Sequence, residues 1–319
     1  MKQAILVTGS RGQLGSELVP YLEARYPQYQ IVSSDLAEHP QGSGDSVYTP
    51  LDVTNYTQLV NIIKTYNVIH IYHLAAILSG KGEQDPQKAF EVNLLGTQQV
   101  LEAARQTSVQ RLFIPSSIAV YGQGYPRDLT PEDTILKPKT MYGVTKVAGE
   151  LLHEYYTSTY GLDVRSIRFP GIISSKAAPG GGTTDYAVDI YFQAVSNQRY
   201  TCFLTQDTQL PFLFMPDVLS GISCLMEASE QQLTRKVYHL TGFSACPQDF
   251  AQEISHHVSN FSIDFRPDFR QSIADIWPKS LDDSSFRKDF DWKPAYGLKE
   301  TTIAMLEAAH QKHSAAGLQ

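Results

Sequence analysis

Ala4-Ile5-Leu6-Val7-Thr8 runs directly into Gly9-Ser10-Arg11-Gly12-Gln13-Leu14-Gly15, and Leu18, Val19 and Leu22 follow at helical spacing. The apolar run reads as a buried strand, the glycines permit a tight turn, and the spacing beyond Gly15 predicts a helix. Strand, glycine turn and helix together make a dinucleotide-binding fingerprint, in which the backbone approaches a pyrophosphate closely and a helix N-terminus faces its charge. The spacing is GxxGxxG, not the GxGxxG of many dehydrogenases. A second strand, Gln30-Ile31-Val32-Ser33-Ser34, ends at Asp35, twenty residues beyond Gly15. A carboxylate there would accept from adenine ribose hydroxyls and repel a 2′-phosphate, so NAD is expected over NADP. Taken alone, Asp35 reads as a turn or cap residue; after this glycine turn the ribose role leads. Arg11 is either a phosphate contact or an ordinary loop arginine.

Strand and helix signals alternate over about the first 170 residues, which predicts a parallel sheet covered on both faces. Val68-Ile69-His70-Ile71-Tyr72 is a further strand, leading to His73-Leu74-Ala75-Ala76, whose small residues suit either tight packing or close approach to a cofactor. A long helix is predicted from Pro86 to Gln106 and carries Asn93. Arg111-Leu112-Phe113-Ile114 then delivers Pro115-Ser116-Ser117-Ile118 at its carboxyl end, the edge where doubly wound sheets bind ligands.

Tyr142-Gly143-Val144-Thr145-Lys146 places a phenol and an ammonium on one face of a predicted helix. A tyrosine titrates near pH 10, so acting as a base near neutrality requires stabilising its phenolate by roughly 4 kcal/mol. A lysine fixed beside it supplies part of that. Tyr-x-x-x-Lys arises by chance in long helices, and a serine after a strand is more often a turn former. Together, behind a glycine turn, Ser117, Tyr142 and Lys146 read as a catalytic set, with Ser117 holding the substrate oxygen while Tyr142 exchanges its proton.

Composition bounds the rest. The chain has 319 residues, 42% hydrophobic and 18% charged, with a formal net charge of −7, which argues against a nucleic-acid partner. No apolar run approaches the roughly 18 residues of a membrane span, and the first strand starts right after Met1-Lys2-Gln3. A cytoplasmic location is expected. Cys202, Cys224 and Cys246 are widely spaced, and the histidines, including the neighbours His256 and His257, show no ligand spacing. No metal is expected.

The fold class is therefore α/β: a Rossmann-like doubly wound parallel sheet with a smaller, interleaved C-terminal substrate lobe. Residues 1–170 are expected to form the NAD-binding domain, with 212–242 returning to it. Residues 171–211 and 243–312 are expected to form the substrate lobe.

In their order along the chain, the GxxGxxG turn, Asp35, Asp52-Val53, Leu74-Ala75-Ala76, Asn93, Ser117 and the Tyr142/Lys146 pair resemble the extended short-chain dehydrogenase/reductase family, over essentially the whole chain. The resemblance implies that Gly9, Gly12, Gln13, Leu14 and Gly15 cradle NAD, with Asp52 and Val53 flanking the adenine. It adds Leu74, Ala75, Ala76, Pro170 and Ile172 to the cofactor site and gives Asn93 the task of steadying the active-site backbone. Tyr142 becomes the general base, Lys146 binds the nicotinamide ribose and lowers the tyrosine pKa, and Ser117 orients the substrate. A homodimer through the helices containing Asn93 and Tyr142 is also implied.

Four further stretches are similar to the metal-independent L-threonine 3-dehydrogenases within that family: Leu78 to Glu83, Pro179 to Ile190, Tyr200 to Leu204 and Pro211 to Asp217. This implies a small-molecule substrate, L-threonine, oxidised at its side-chain alcohol. Gly80 departs from the pattern, where an alanine or similarly small residue is expected. Ser79, with Thr183 or Thr184, would hold the polar end of the amino acid, and Asp185 would sit near its ammonium. From spacing alone, Gly180-Gly181-Gly182-Thr183-Thr184-Asp185 is a mobile loop with a helix N-cap. Trp277 either lines the pocket or packs in a core.

Two other readings stay open. A nucleotide-sugar epimerase or dehydratase shares the frame, although a dehydratase would carry an acidic pair where Ile118-Ala119 stands. A noncatalytic NAD-binding regulator would be expected to lack the tyrosine or the lysine.

Overall fold

The computed structural model describes residues 2–37, 47–176 and 180–316; Pro179 and the end of the polar tail lie outside them. The main sheet has the strand order Val237–His239, Asp163–Phe169, Arg111–Phe113, Val68–His73, Ala4–Thr8, Gln30–Asp35 and Val47–Pro50, with Ser116–Ser117 also pairing with Asp163–Phe169. Every pairing in it is parallel. Strand order runs outward in opposite directions from Ala4–Thr8, and such a reversal opens a crevice at the carboxyl ends of the strands.

Ala4–Thr8 is buried along its whole length, as a strand covered on both faces must be. Ile5 and Val7 pack with Leu18 and Leu22 of the helix Gly15–Arg25 and with Val218 and Ile222 of Met215–Glu227. Ala4 and Leu6 face the other way, onto Leu59 and Ile63 of Tyr56–Thr65 and Val100 and Leu101 of Gly96–Arg105. Alternation along one strand thus joins two helical layers.

The predicted Pro86 to Gln106 helix is one run in three parts: Pro86–Phe90, a π-helical turn over Glu91–Leu95, and Gly96–Arg105. The π turn carries Asn93, and such turns are frequent at functional sites.

The return of the chain expected at residue 212 comes later. Leu210–Phe214 pairs with Gly171–Ile173 and Phe243–Ala245 in a separate three-stranded sheet, and it is Met215–Glu227 and Val237–His239 that rejoin the main sheet. Leu210–Phe214 is buried at every position, so its apolar run suits either sheet and only its pairing decides. Around it lies a second core that includes Tyr186, Tyr191, Phe250 and Trp277. Among the described residues, no helix is long and apolar enough to cross a membrane.

Candidate active site

A cavity of about 720 Å³ opens at the carboxyl edge of the main sheet, where the second core meets it. That volume is in the range that takes small molecules and cofactors.

The glycine turn forms one wall. Gly9 has φ +67°, and a side chain there would place Cβ 2.6 Å from the Ala75 nitrogen. A Cβ on Gly15 would collide with the Gly9 carbonyl oxygen. With no side chain possible at either position, bare backbone faces the cavity beside the N-terminus of Gly15–Arg25, which suits a pyrophosphate. Gln13 Nε2 donates to the Ile172 carbonyl at 3.0 Å, tying this turn to the segment after Asp163–Phe169. Gly12, Leu14, Leu74, Ala76, Pro170 and Ile172 also line the cavity. The cradle therefore fits a dinucleotide.

Asp35, Asp52, Val53, Ala75 and Asn93 are not part of the cavity lining. Asp35 sits beside the turn, where its carboxylate accepts from Arg11 N at 3.0 Å and Leu36 N at 2.8 Å. Asp52 closes a local turn by accepting from the amide and hydroxyl of Thr54, which hold its carboxyl below the usual range. Val53 is buried against Gly96, and Ala75 lies under Gly9. Asn93 works on backbone: Oδ1 accepts from Ile77 N at 2.7 Å and Nδ2 donates to Ile77 O at 3.0 Å, fixing a residue that does line the cavity.

Ser117, Tyr142 and Lys146 converge on the same cavity. The helix Met141–Tyr160 starts at Thr140, whose hydroxyl accepts from Gly143 N at 3.1 Å. Ser117 ends its strand with its hydroxyl accepting from Ala119 N at 3.1 Å. Burial pushes the Tyr142 phenol up to about 12, opposed only by its hydrogen bond with Ser117. Burial also pushes Lys146 down to about 8, opposed by the charge of Glu150. The lysine Nζ donates to the Pro115 carbonyl at 2.7 Å and lies 5.5 Å from the tyrosine ring centroid. Of the groups around the phenol, it is Ser117 and not Lys146 that opposes the effect of burial.

Ser79 and Thr183 are buried with their hydroxyls 3.3 Å apart, although 104 residues separate them. Thr184 and Asp185 line the same region. Asp185 stands at the N-cap position of the helix Tyr186–Asn197 but its side chain makes no cap bond; its Oδ2 turns back to accept from Gly181 N and Gly182 N, both at 2.7 Å. Two amides presented by the glycine loop satisfy the carboxylate better than the helix end does. Burial nonetheless raises its pKa. Trp277 is both things at once, a cavity wall and a member of the second core.

Gly80 also departs from expectation. A Cβ there would strike the Gly181 carbonyl oxygen, so glycine at 80 permits the contact between two loops and does not loosen it. Gly80→Ala should push the loops apart and raise KM for the substrate about tenfold with little change in KM for NAD, measured by steady-state kinetics. Ile77, Lys81, Ile118 and Phe169 line the cavity without having been singled out in the sequence as site residues. The signal available for them was adjacency to Ser79, Ser117 and Pro170.

A dinucleotide cradle and a half-buried Ser-Tyr-Lys set on one parallel-sheet edge define a nicotinamide-dependent oxidoreductase site. Residues 5–240 match the model of the NAD dependent epimerase/dehydratase family, and the chain belongs to that family, with NAD as its cofactor. It is 40% identical to the mitochondrial L-threonine 3-dehydrogenase of Bos taurus, over 96% of this chain and 82% of that one. The L-threonine dehydrogenase structure from Phytophthora infestans matches with a TM-score of 0.93 and 43% identity, over 97% of this chain and 99% of the other. A monomeric L-threonine 3-dehydrogenase from a metagenome matches with a TM-score of 0.93 and 41% identity, over 97% and 99%.

Proposed function

We propose that the protein oxidises the side-chain alcohol of L-threonine to L-2-amino-3-oxobutanoate with reduction of NAD, the activity of an L-threonine 3-dehydrogenase. The observation that carries this reading is that likeness to threonine dehydrogenases spans 96% of the chain. It therefore includes the loops that bring Ser79, Thr183 and Asp185 to the cavity holding Tyr142.

Tyr142 takes the hydroxyl proton while Ser117 donates to the oxygen that becomes a carbonyl. NAD held by the glycine turn would supply the hydride acceptor for Cβ and a positive ring beside the phenol. Lys146 adds its ammonium, held in place by the Pro115 carbonyl. Gly9, Gly12, Gln13, Leu14 and Gly15 hold the cofactor's phosphates, with Asp35 at its ribose. Ser79 with Thr183 or Thr184 receives the substrate carboxylate. Asp185 has one oxygen committed to the glycine loop, and its other faces the substrate ammonium. Asp185→Asn keeps the shape and removes the charge. It should raise KM for L-threonine by about 10–100-fold, the value of a charged hydrogen bond; unchanged KM and kcat would exclude this role.

We also propose a metal-independent cytoplasmic homodimer; the similar metagenome enzyme is monomeric, so the dimer rests on exposed apolar side chains. Val144, Leu151 and Tyr155 are exposed large hydrophobics on Met141–Tyr160, and Phe90 and Leu95 are exposed on the neighbouring Asn93 helix. Sedimentation velocity tests the dimer, and turnover after dialysis against a chelator tests metal independence. The activity itself is tested by NADH formation with L-threonine, D-threonine and L-serine alongside turnover of a UDP-sugar. UDP-sugar turnover without threonine-dependent NADH would establish an epimerase instead.

A further inference from the structure

One turn beyond Lys146, the helix Met141–Tyr160 carries a buried charge that the reaction above does not use. Glu150 is 8% exposed and shares a helix face with Lys146. Its Oε1 accepts from the Ser116 hydroxyl at 2.5 Å and Arg168 Nε at 2.8 Å, and its Oε2 accepts from Arg168 Nη2 at 2.7 Å. Ser116 immediately precedes Ser117 and pairs in register with Arg168. Arg168 also donates to the Tyr121 hydroxyl at 3.0 Å and the Glu132 carbonyl at 2.7 Å, so the guanidinium is fixed on both sides.

A buried ion pair of this kind adds little net stability over apolar residues of the same size, which favours a role in arrangement. The other titratable groups around Lys146 carry no negative charge at neutral pH: burial keeps Tyr142 protonated and His73 and His153 neutral. Among the described residues, Glu150 is the carboxylate whose charge opposes the effect of burial on Lys146.

We propose that Glu150 is a positioning residue: it pins the strand end bearing Ser117 to the helix bearing Tyr142, and it supplies the counter-charge that keeps Lys146 an ammonium. The inference rests on the reading of Ser117, Tyr142 and Lys146 as the reacting set.

Glu150→Gln alone strands the Arg168 charge in the interior and is expected to unfold readily. The informative variant is Glu150→Gln/Arg168→Met, which removes both charges. Lys146 is followed in NAD-free protein by heteronuclear NMR titration of its side chain, assigned with Lys146→Arg. Its midpoint should fall in the double variant, because Glu150 and not Arg168 acts on Lys146, the alkaline limb of the kcat profile should move with it, and Glu150→Asp should return the midpoint. A folded double variant with an unchanged midpoint overturns the proposal. If the double variant does not fold, Ser116→Ala decides, because it leaves the ion pair in place: kcat should fall about tenfold with KM unchanged, and an unchanged kcat overturns the pinning. A shifted Lys146 midpoint in a protein that does not oxidise threonine would refute the assigned reaction and leave Glu150's action on Lys146 standing.

Discussion

Tyr142→Phe should lower kcat for L-threonine oxidation by about 10²–10⁴-fold, the usual contribution of a positioned acid or base. The ring remains to fill its place between Ser117 and Lys146, so NAD should bind with nearly its original affinity. Wild-type kcat should rise with pH from neutrality, because the phenol must give up its proton before it can take the substrate's. Burial holds that phenol up to about 12. A rising limb several units lower therefore reports the positive charge brought beside it in the ternary complex. Lys146, pushed down to about 8 by burial, sets the opposite limit, since loss of its ammonium weakens that stabilisation. Tyr142→Phe should flatten the rising limb. Near wild-type turnover by this variant would remove Tyr142 from the reaction.

Gly15→Val should be the most damaging change in the cofactor half. Its Cβ would collide with the Gly9 carbonyl and lie 2.6 Å from Ser10 Cα, and both neighbours are backbone that cannot rotate away. Forcing the turn open should cost about 1–3 kcal/mol in stability, and displacing the amides proposed to hold the phosphates should weaken NAD binding by at least about 100-fold. Calorimetric titration with NAD measures the second effect and thermal unfolding the first. Gly149→Ala is the control: a Cβ there meets only His153 Nε2, at 4.0 Å. Retained NAD binding by Gly15→Val would contradict the cradle.

What was legible in the sequence was local. The turn from Gly9 to Gly15 is specified by residues within one strand–helix connection. The alternation of Ala4–Thr8 between two helical layers follows from a run with no polar interruption. Tyr142 and Lys146 share a face by helix geometry alone. What was not legible depends on partners far along the chain. Leu210–Phe214 has the same apolar character whether it pairs in the main sheet or, as it does, with Gly171–Ile173. Val47–Pro50 is a half-buried edge strand of four residues, too short and too polar to stand out. Gly80 looked like a departure because Gly181, a hundred residues later, is what requires it. The high tyrosine pKa comes from enclosure by several elements, which no i, i+4 spacing encodes.

If this site removes hydride from Cβ of L-threonine, the substrate deuterated at Cβ reveals it. Incubated with NAD and the protein, it should yield NADH carrying the deuterium at nicotinamide C4, together with 2-amino-3-oxobutanoate, and Tyr142→Phe should suppress both. Unlabelled NADH, or no NADH at all while the protein still binds NAD, would rule out hydride transfer from Cβ at this site.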